Sequence, residues 1–356
     1  MYFSLFQAYL LSVSLVAAGM LFLGARSYVP KGFKAKHSPK TLVIVPCRGE
    51  DVTLEKNLRA INDQSYPNYD LICVVDDESD LSLKAIKKLR LKYILSSAEC
   101  RNCSGKVRAI ATALEKFRSY SAYAIADSDI LPEKEWLGNL LAPLSDKKIG
   151  LSTGYPFFNP LGGFWSKVKS AWGLVGEGLM ESKLTVFGWG GSLAFRKELL
   201  DQKSLGLFKE SLSDDIALTK ISKKKALEVF YSKNARLQVN VKEGAGEFVE
   251  WANRQTSLSI LGDNKIFYFG IAFYSAQILV LLSGIFLGIF YNILFLLLLL
   301  PILVGTARGY LRLRKKYPEF FIISPLLPFL YLLNLLVAKN MKEIKWRGNK
   351  YPLKQY

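Results

Sequence analysis

The sequence predicts an α/β domain of Rossmann-like order, carried between an N-terminal membrane helix and further membrane segments at the C-terminal end. Three observations point there. The stretch from Leu5 to Leu23 is apolar apart from Gln7 and a few small polar residues. Between Lys40 and about Leu261, short apolar runs alternate with charged segments of helical period. Beyond Lys265 the chain turns apolar again, through Ile266 to Gly288, Ile289 to Thr306 and Phe320 to Ala338.

The first stretch approaches the roughly 20 residues that a spanning helix needs. A cleaved signal peptide carries positive charge ahead of its apolar run, whereas here all the charge follows. The expected divisions are therefore a transmembrane anchor over 1–25, the α/β domain over 40–262, membrane segments over 263–338 and a basic tail over 339–356. One anchor plus three full crossings would leave that tail on the side opposite the domain. Pro325 and Pro328 predict instead that the last segment is broken, re-entrant or interfacial, so that the tail returns.

Half of the 356 residues are apolar and mean hydropathy is +0.16, too oily for an ordinary soluble enzyme and too charged for a pure membrane bundle. The formal charge of +18 attracts nucleic acid or an anionic membrane. Position separates the two: Arg26, Lys31, Lys34, Lys36 and Lys40, then Arg308, Arg312, Arg314, Lys315 and Lys316, then Lys339 to Lys354, all crowd beside apolar segments. That pattern predicts a cell-membrane protein with its domain in the cytoplasm and no nucleic-acid partner. The membrane segments contain hardly any ionisable residues, which argues against a transporter.

Inside the domain, Thr41 to Pro46 and Asp70 to Asp76 read as buried parallel strands. Val52 to Asp63, Leu83 to Leu91 and Val107 to Tyr120 carry apolar residues three and four apart and read as crossover helices, and Tyr123 to Ala126 reads as a fourth strand. Ligands of such sheets collect at the carboxyl ends of the strands.

Carboxylates stand at those ends. The second strand finishes in Asp76-Asp77-Glu78-Ser79-Asp80 and the fourth in Asp127-Ser128-Asp129. Two aspartates one residue apart can offer oxygens to one side of Mg²⁺ or Mn²⁺, leaving other positions to phosphate and water; the same spacing also arises in solvated turns. Farther along, Asp214-Asp215 precedes an amphipathic segment, as a general base would or as a cap and first-turn acid would. Gly188-Trp189-Gly190-Gly191-Ser192 lets backbone approach a ligand, or is a tight turn. Lys106 heads a helix whose N-terminus favours anions, where it would meet phosphate or nucleotide or equally be a solvated lysine. Trp251 and Arg254 sit on neighbouring turns just ahead of the membrane, where an aromatic is equally an interfacial anchor. The only histidine is His37, which makes histidine catalysis improbable. Cys100 and Cys103 form half of a metal or redox site without a second pair, and otherwise read as reduced thiols or a local crosslink.

Taken in order, P-C-R-G-E-D, Y-P-N-Y-D-L-I-C-V-V-D-D-E-S-D, G-K-V-R-A-I, A-D-S-D, G-L-S-T-G-Y-P, G-W-G-G-S-L-A-F-R-K, L-S-D-D-I-A and the tail I-K-W-R-G-N-K-Y resemble the family 2 glycosyltransferases, and particularly ceramide glucosyltransferase and its bacterial and archaeal relatives. The likeness runs through nearly the whole chain. It implies a GT-A-type nucleotide-sugar domain and an inverting transfer from a nucleotide-diphosphate sugar, a UDP-sugar, to a hydroxyl of a membrane lipid. By the same resemblance Asp76 and Asp77 contact the nucleoside, Asp127 and Asp129 hold Mn²⁺ or Mg²⁺ with the diphosphate, and Asp215 is the base, with Asp214 replacing the usual Glu. Gly190, Gly191 and Ser192 match the loop beneath the acceptor. The family's Q-x-x-R-W signature is degraded: Trp251 matches its Trp, Glu250 takes the Arg position and Phe248 the Gln position, and Arg254 is expected to supply the missing cation. That departure, with too few membrane helices, argues against a polysaccharide-extruding synthase. Two rivals stay open, a polyprenyl-phosphate sugar synthase and a catalytically silent membrane scaffold of the same fold.

Overall fold

The computed structural model describes residues 5–25, 32–33 and 38–353. The cations Arg26, Lys31, Lys34, Lys36 and Lys354, and also His37, lie outside the described residues. The apolar start forms α1 (Leu5–Ala25). The domain opens with β1 (Thr41–Pro46), α2 (Leu54–Asn62), β2 (Tyr69–Val75), α3 (Ser82–Lys88), β3 (Tyr93–Leu95), α4 (Gly105–Lys116) and β4 (Ala122–Ala126). This is the predicted alternation. The third strand, only three residues long, is too short to carry a period of its own.

The chain continues through β5 (Ile130–Pro132), α5 (Trp136–Leu141), β6 (Ile149–Thr153), β7 (Phe157–Pro160), α6 (Phe164–Trp172), α7 (Leu174–Met180), β8 (Ser192–Arg196), α8 (Gln202–Lys209), α9 (Asp214–Lys224), β9 (Glu228–Tyr231), β10 (Leu237–Val241) and α10 (Ala245–Gly262). The main sheet has seven strands in the order β3-β2-β1-β4-β8-β6-β9. Its first four strands are parallel, β8 runs antiparallel between β4 and β6, and β9 parallels β6. A small sheet, β5-β10-β7, flanks it.

Both faces of the main sheet are covered, which is why its strands read as continuous apolar runs. Val43, Val45, Cys73 and Val75 pack against Leu58, Ile61, Leu83 and Ile86 of α2 and α3. On the other face Leu42, Ile44, Ile72 and Val74 meet Val107, Ile110 and Leu114 of α4. The parallel registers Ile44↔Ile72 and Ile44↔Ile125 bring the carboxyl ends of β1, β2 and β4 to one edge, so that Pro46, Asp76 and Asp127 emerge together.

The C-terminal part forms α11 (Lys265–Phe290), a 3₁₀ turn at Ile293–Leu299 leading into α12 (Leu300–Arg312), and α13 (Phe320–Lys339). The segments Lys265–Phe290, Ile293–Arg312 and Phe320–Lys339 are long and apolar enough to cross a membrane. α1 joins the first two through Val13, Ala17 and Val280.

The expected break in the last segment is absent: α13 runs without interruption through Pro325 and Pro328. In an apolar setting the backbone has no competing partner, so the rest of the helical ladder closes around each proline. Phe320, Ile323, Leu327, Tyr331, Leu335 and Ala338 form a buried stripe along its whole length, while Ile322, Leu326, Leu333 and Leu336 stand exposed on the other side. Each end of α13 is tied to groups outside it. At its start Lys167 pairs with Glu319 at 2.6 Å and the Tyr317 hydroxyl donates to the Lys167 carbonyl at 2.9 Å; near its end Lys339 donates to Asn264 at 2.9 Å. The basic tail is ordered as a hairpin, β11 (Glu343–Trp346) and β12 (Asn349–Pro352).

Asn334 carries the polar link between α13 and the domain. Its Oδ1 accepts from the Trp172 indole at 3.1 Å and its Nδ2 donates to Asn253 at 2.8 Å. Asn334→Leu strands both partners in a buried seam and is expected to cost about 1–3 kcal/mol. A lower melting temperature of the detergent-solubilised protein is the expected readout, and an unchanged one refutes this role for Asn334.

Candidate active site

A cleft of about 440 Å³ opens where β1, β2 and β4 end. The loop after β1 contributes Arg48 and Asp51, the end of β2 Asp76, the head of α4 Lys106, and the loop after β4 Asp127, Ser128 and Asp129. Lys169 of α6, Trp189, Glu243, and Trp251 and Arg254 of α10 close the other side, and Trp346, Arg347 and Tyr351 of the tail hairpin cover it.

Lys106 is the centre of the charge arrangement. Ser104 caps α4 by accepting from the Val107 N–H at 3.2 Å, which fixes the helix start that carries the lysine. Its Nζ lies 2.8 Å from Asp127 Oδ1 and 3.2 Å from Asp214 Oδ1. Burial works against its charge, but Asp127, Asp214 and Asp215 outweigh burial and hold the ammonium firmly protonated. Asp214 is 2% exposed, and burial first, then Asp215 and Asp127, push its carboxyl up to about 7 against the pull of Lys106.

Asp215 differs from its neighbour. It is half-buried at the first turn of α9, where the helix dipole favours negative charge. One oxygen accepts from the Gly190 N–H at 3.1 Å; the other accepts from the Ile216 N–H at 2.7 Å and from the Ser213 hydroxyl. The pair thus divides into a buried partner for the lysine and an oriented, half-buried carboxylate, neither of them among the residues that line the cleft.

The glycine loop holds this arrangement by leaving room. A Cβ on Gly190 would stand 2.7 Å from Lys106 Nζ and 3.0 Å from an Asp214 oxygen, and one on Gly191 would meet the Trp189 ring at 2.1 Å. Gly190 and Gly191 therefore lie against the ion pair and the cleft-lining indole. Ser192 does not reach the cleft: it is fully enclosed at the start of β8 and accepts from the Trp136 indole at 2.8 Å. Asp77 also turns away, accepting from the Ser79 N–H at 2.8 Å at the exposed rim, whereas Asp76 lines the cleft and pairs with Arg48 at 2.9 Å.

The degraded aromatic signature sorts itself in space. Phe248 is buried among Trp172, Phe320 and Ile323, Glu250 is exposed, and Trp251 and Arg254 line the cleft. Lys169 sits over the Trp251 ring at 4.1 Å and pairs with Glu243. Arg48, Asp51 and Lys169 escaped the sequence reading as site residues. For Arg48 and Asp51 the signal was their place just after the first strand; Lys169, inside a helix, gave none. Cys100 and Cys103 are joined to each other in the loop before α4, a local crosslink.

Among the described residues no group of three or more His, Cys, Asp or Glu side chains could hold a metal ion. Mg²⁺ and Mn²⁺ nucleotide sites commonly use one or two carboxylates and take the rest from phosphate and water. Asp129 fits that role, because its Oδ1 is buried with no hydrogen-bond partner. Burial, then Asp127 and Asp51, push its carboxyl up to about 7, a crowding of like charge that a cation would relieve.

A mixed sheet of this order, with acids gathered at the carboxyl ends of its parallel strands, has the GT-A fold. The mannosyltransferase PcManGT from Pyrobaculum calidifontis, solved with GDP-Man and Mn²⁺, shares the fold with a TM-score of 0.56 at 17% identity over 93% of this chain and 94% of that one. A weaker likeness, TM-score 0.43 at 16% identity over 62% of this chain and 79% of that one, is found with glucosyl-3-phosphoglycerate synthase from Mycobacterium tuberculosis, solved with Mn²⁺, UDP and phosphoglyceric acid. The model of glycosyl transferase family 21 matches residues 6–356. The chain belongs to that family, which includes ceramide glucosyltransferase.

Gly190→Ala tests the packing of the centre. Pushing Lys106 off its two aspartates is expected to lower kcat about 100-fold, as displacements near 1 Å at a reacting centre do. Because the displaced ion pair is buried, the melting temperature should fall as well, and an unchanged kcat refutes this role for Gly190.

Proposed function

We propose that this glycosyltransferase transfers a sugar from a nucleotide diphosphate, a UDP-sugar, to the hydroxyl of a membrane lipid with inversion at the anomeric carbon. The observation that carries this reading is one juxtaposition. The acid-and-cation cleft and the oriented Asp215 carboxylate sit in a domain whose α6 and α10 pack directly on apolar α13. A soluble donor and an acceptor that stays in the bilayer need such an arrangement.

In this reading Asp76 and Arg48 receive the nucleoside, Asp127 and Asp129 hold Mn²⁺ or Mg²⁺, and Lys169 and Arg254 supply further positive charge. When bound, the ion neutralises charge on the diphosphate. The acceptor oxygen bonds to the anomeric carbon as the bond from that carbon to the diphosphate oxygen breaks, and the hydroxyl proton passes to Asp215. Lys106 keeps Asp127 and the start of α9 in mutual register throughout. Arg312 at the end of α12 and Arg314 and Lys315 just after it contact the domain, Arg312 paired to Glu181, Arg314 to Glu133 at 3.5 Å and Lys315 donating to the Pro160 carbonyl at 2.9 Å. Cations on that side support a cytoplasmic domain.

A second cavity of about 390 Å³ lies between the domain and the end of α12, with Lys233, Arg236, Arg312 and Arg314 in its wall. A rival acceptor, a polyprenyl phosphate, needs no strong base and would draw on those cations, although Glu133 and Glu177 share the wall and Lys233, Arg312 and Arg314 are already paired with Glu181 and Glu133. Asp215→Asn separates the two readings. Transfer to a hydroxyl should fall about 10²- to 10⁴-fold, while transfer to a phosphate is spared. The assay uses detergent-solubilised protein with Mn²⁺ or Mg²⁺, a panel of sugar nucleotides and total lipid extract, with products identified by mass. Excess chelator should abolish turnover. Full activity in chelator refutes the metal role, and no transfer from any donor favours a silent scaffold.

A further inference from the structure

We propose that the C-terminal hairpin is a clasp over the donor site and that Arg347, at its tip, binds the donor's diphosphate; this rests on the nucleotide-sugar reading above.

The turn is built for presentation. Trp346 and Asn349 pair across a two-residue connection, and both central residues have positive φ, 49° at Arg347 and 79° at Gly348. Two-residue hairpin turns of the I′ type require that geometry and normally use Asn-Gly or Gly-Gly. An arginine in the left-handed region is strained, and such strain gathers where a side chain must be aimed at a ligand. Glycine follows it, so the turn closes and the guanidinium projects from its tip.

The tip points into the acids. Arg347 pairs with Asp51 and donates to the Arg48 carbonyl at 3.2 Å, and Asp129 and Asp127 add to the hold on its charge. Asp51 also accepts from the Ser128 hydroxyl, so it keeps a partner if the arginine leaves. The Arg347 side chain is 38% exposed, and its guanidinium has donors to spare. A planar fork of this kind matches phosphate oxygens in pairs. With Asp127 and Asp129 holding a divalent ion, the arginine beside them would add charge to the binding of the diphosphate.

The remainder of the hairpin touches each rim of the cleft. Tyr351 Oη accepts from the Gly105 N–H at 3.1 Å, at the same helix start that carries Lys106. Asn349 accepts from Arg48 at 3.4 Å, and Arg48 in turn holds Asp76. Arg254 stands 5.5 Å from the Trp346 ring. One short ribbon therefore bridges the ends of β1 and β2, the head of α4 and α10.

The test is calorimetric titration of the full-length, detergent-solubilised protein and its variants with UDP, UMP, GDP and GMP in the presence of Mn²⁺. Arg347→Ala should weaken the diphosphate that the wild type binds by about 10- to 100-fold, the effect of losing charge-assisted hydrogen bonds. Its monophosphate should change less than about twofold, and Arg347→Lys should recover part of the loss. Equal weakening of diphosphate and monophosphate assigns Arg347 a merely structural role and overturns the proposal, as does undiminished diphosphate binding. Failure of the wild type to bind any of the four nucleotides overturns the donor reading itself, and the clasp with it.

Discussion

The site depends on one buried ammonium. Lys106 stands between Asp127, at the end of β4, and Asp214, at the start of α9, and those elements are far apart in sequence. Without a cation there, the carboxylates of the two loops would repel one another across a space nearly closed to water. With it, the loop that carries the Asp127–Asp129 pair and the helix that carries Asp215 share a common anchor. Ser104, Gly190 and Gly191 serve the same end, the first by fixing where α4 begins and the others by leaving the volume that the ammonium and Trp189 need.

Much of this was legible in the sequence, because buried parallel strands write themselves as unbroken apolar runs. Thr41 to Pro46 and Tyr123 to Ala126 announced both their strands and the acids that follow them. What escaped was short or lay outside any period. Tyr93–Leu95 is three residues long, and the tail, read as a basic segment and as the last motif of the family resemblance, gave no sign of folding back over the cleft as a hairpin. Ser192 looked like part of a ligand loop because it follows two glycines, yet strand pairing with Ala126 carries it into the core, where the Trp136 indole claims its hydroxyl. Trp251 was readable equally as an interfacial anchor or a site residue, since sequence distance from the membrane says little about the direction a helix faces; it lines the cleft. Pro325 and Pro328 failed as break signals because propensity in water does not describe a helix in an apolar setting.

The membrane part and the domain form one packed body. Trp172, Trp251, Tyr331 and Phe320 belong to a continuous aromatic seam running from α6 and α10 into α13. The same Trp251 whose ring packs on Trp172 also carries Lys169 over its face in the cleft. A single residue thus couples the burial of the apolar helix to the placement of a site cation.

The fastening of α13 at its two ends bears on how such an enzyme would sort its substrates. A head joined to its support by a flexible stalk can dip and tilt to meet headgroups of many heights. Here Glu319 and Asn264 are pinned at opposite ends of a 20-residue rod that itself lies on the head. For the lipid acceptor proposed above, an opening held at a set elevation would make stature above the bilayer a criterion of selection alongside chemical identity.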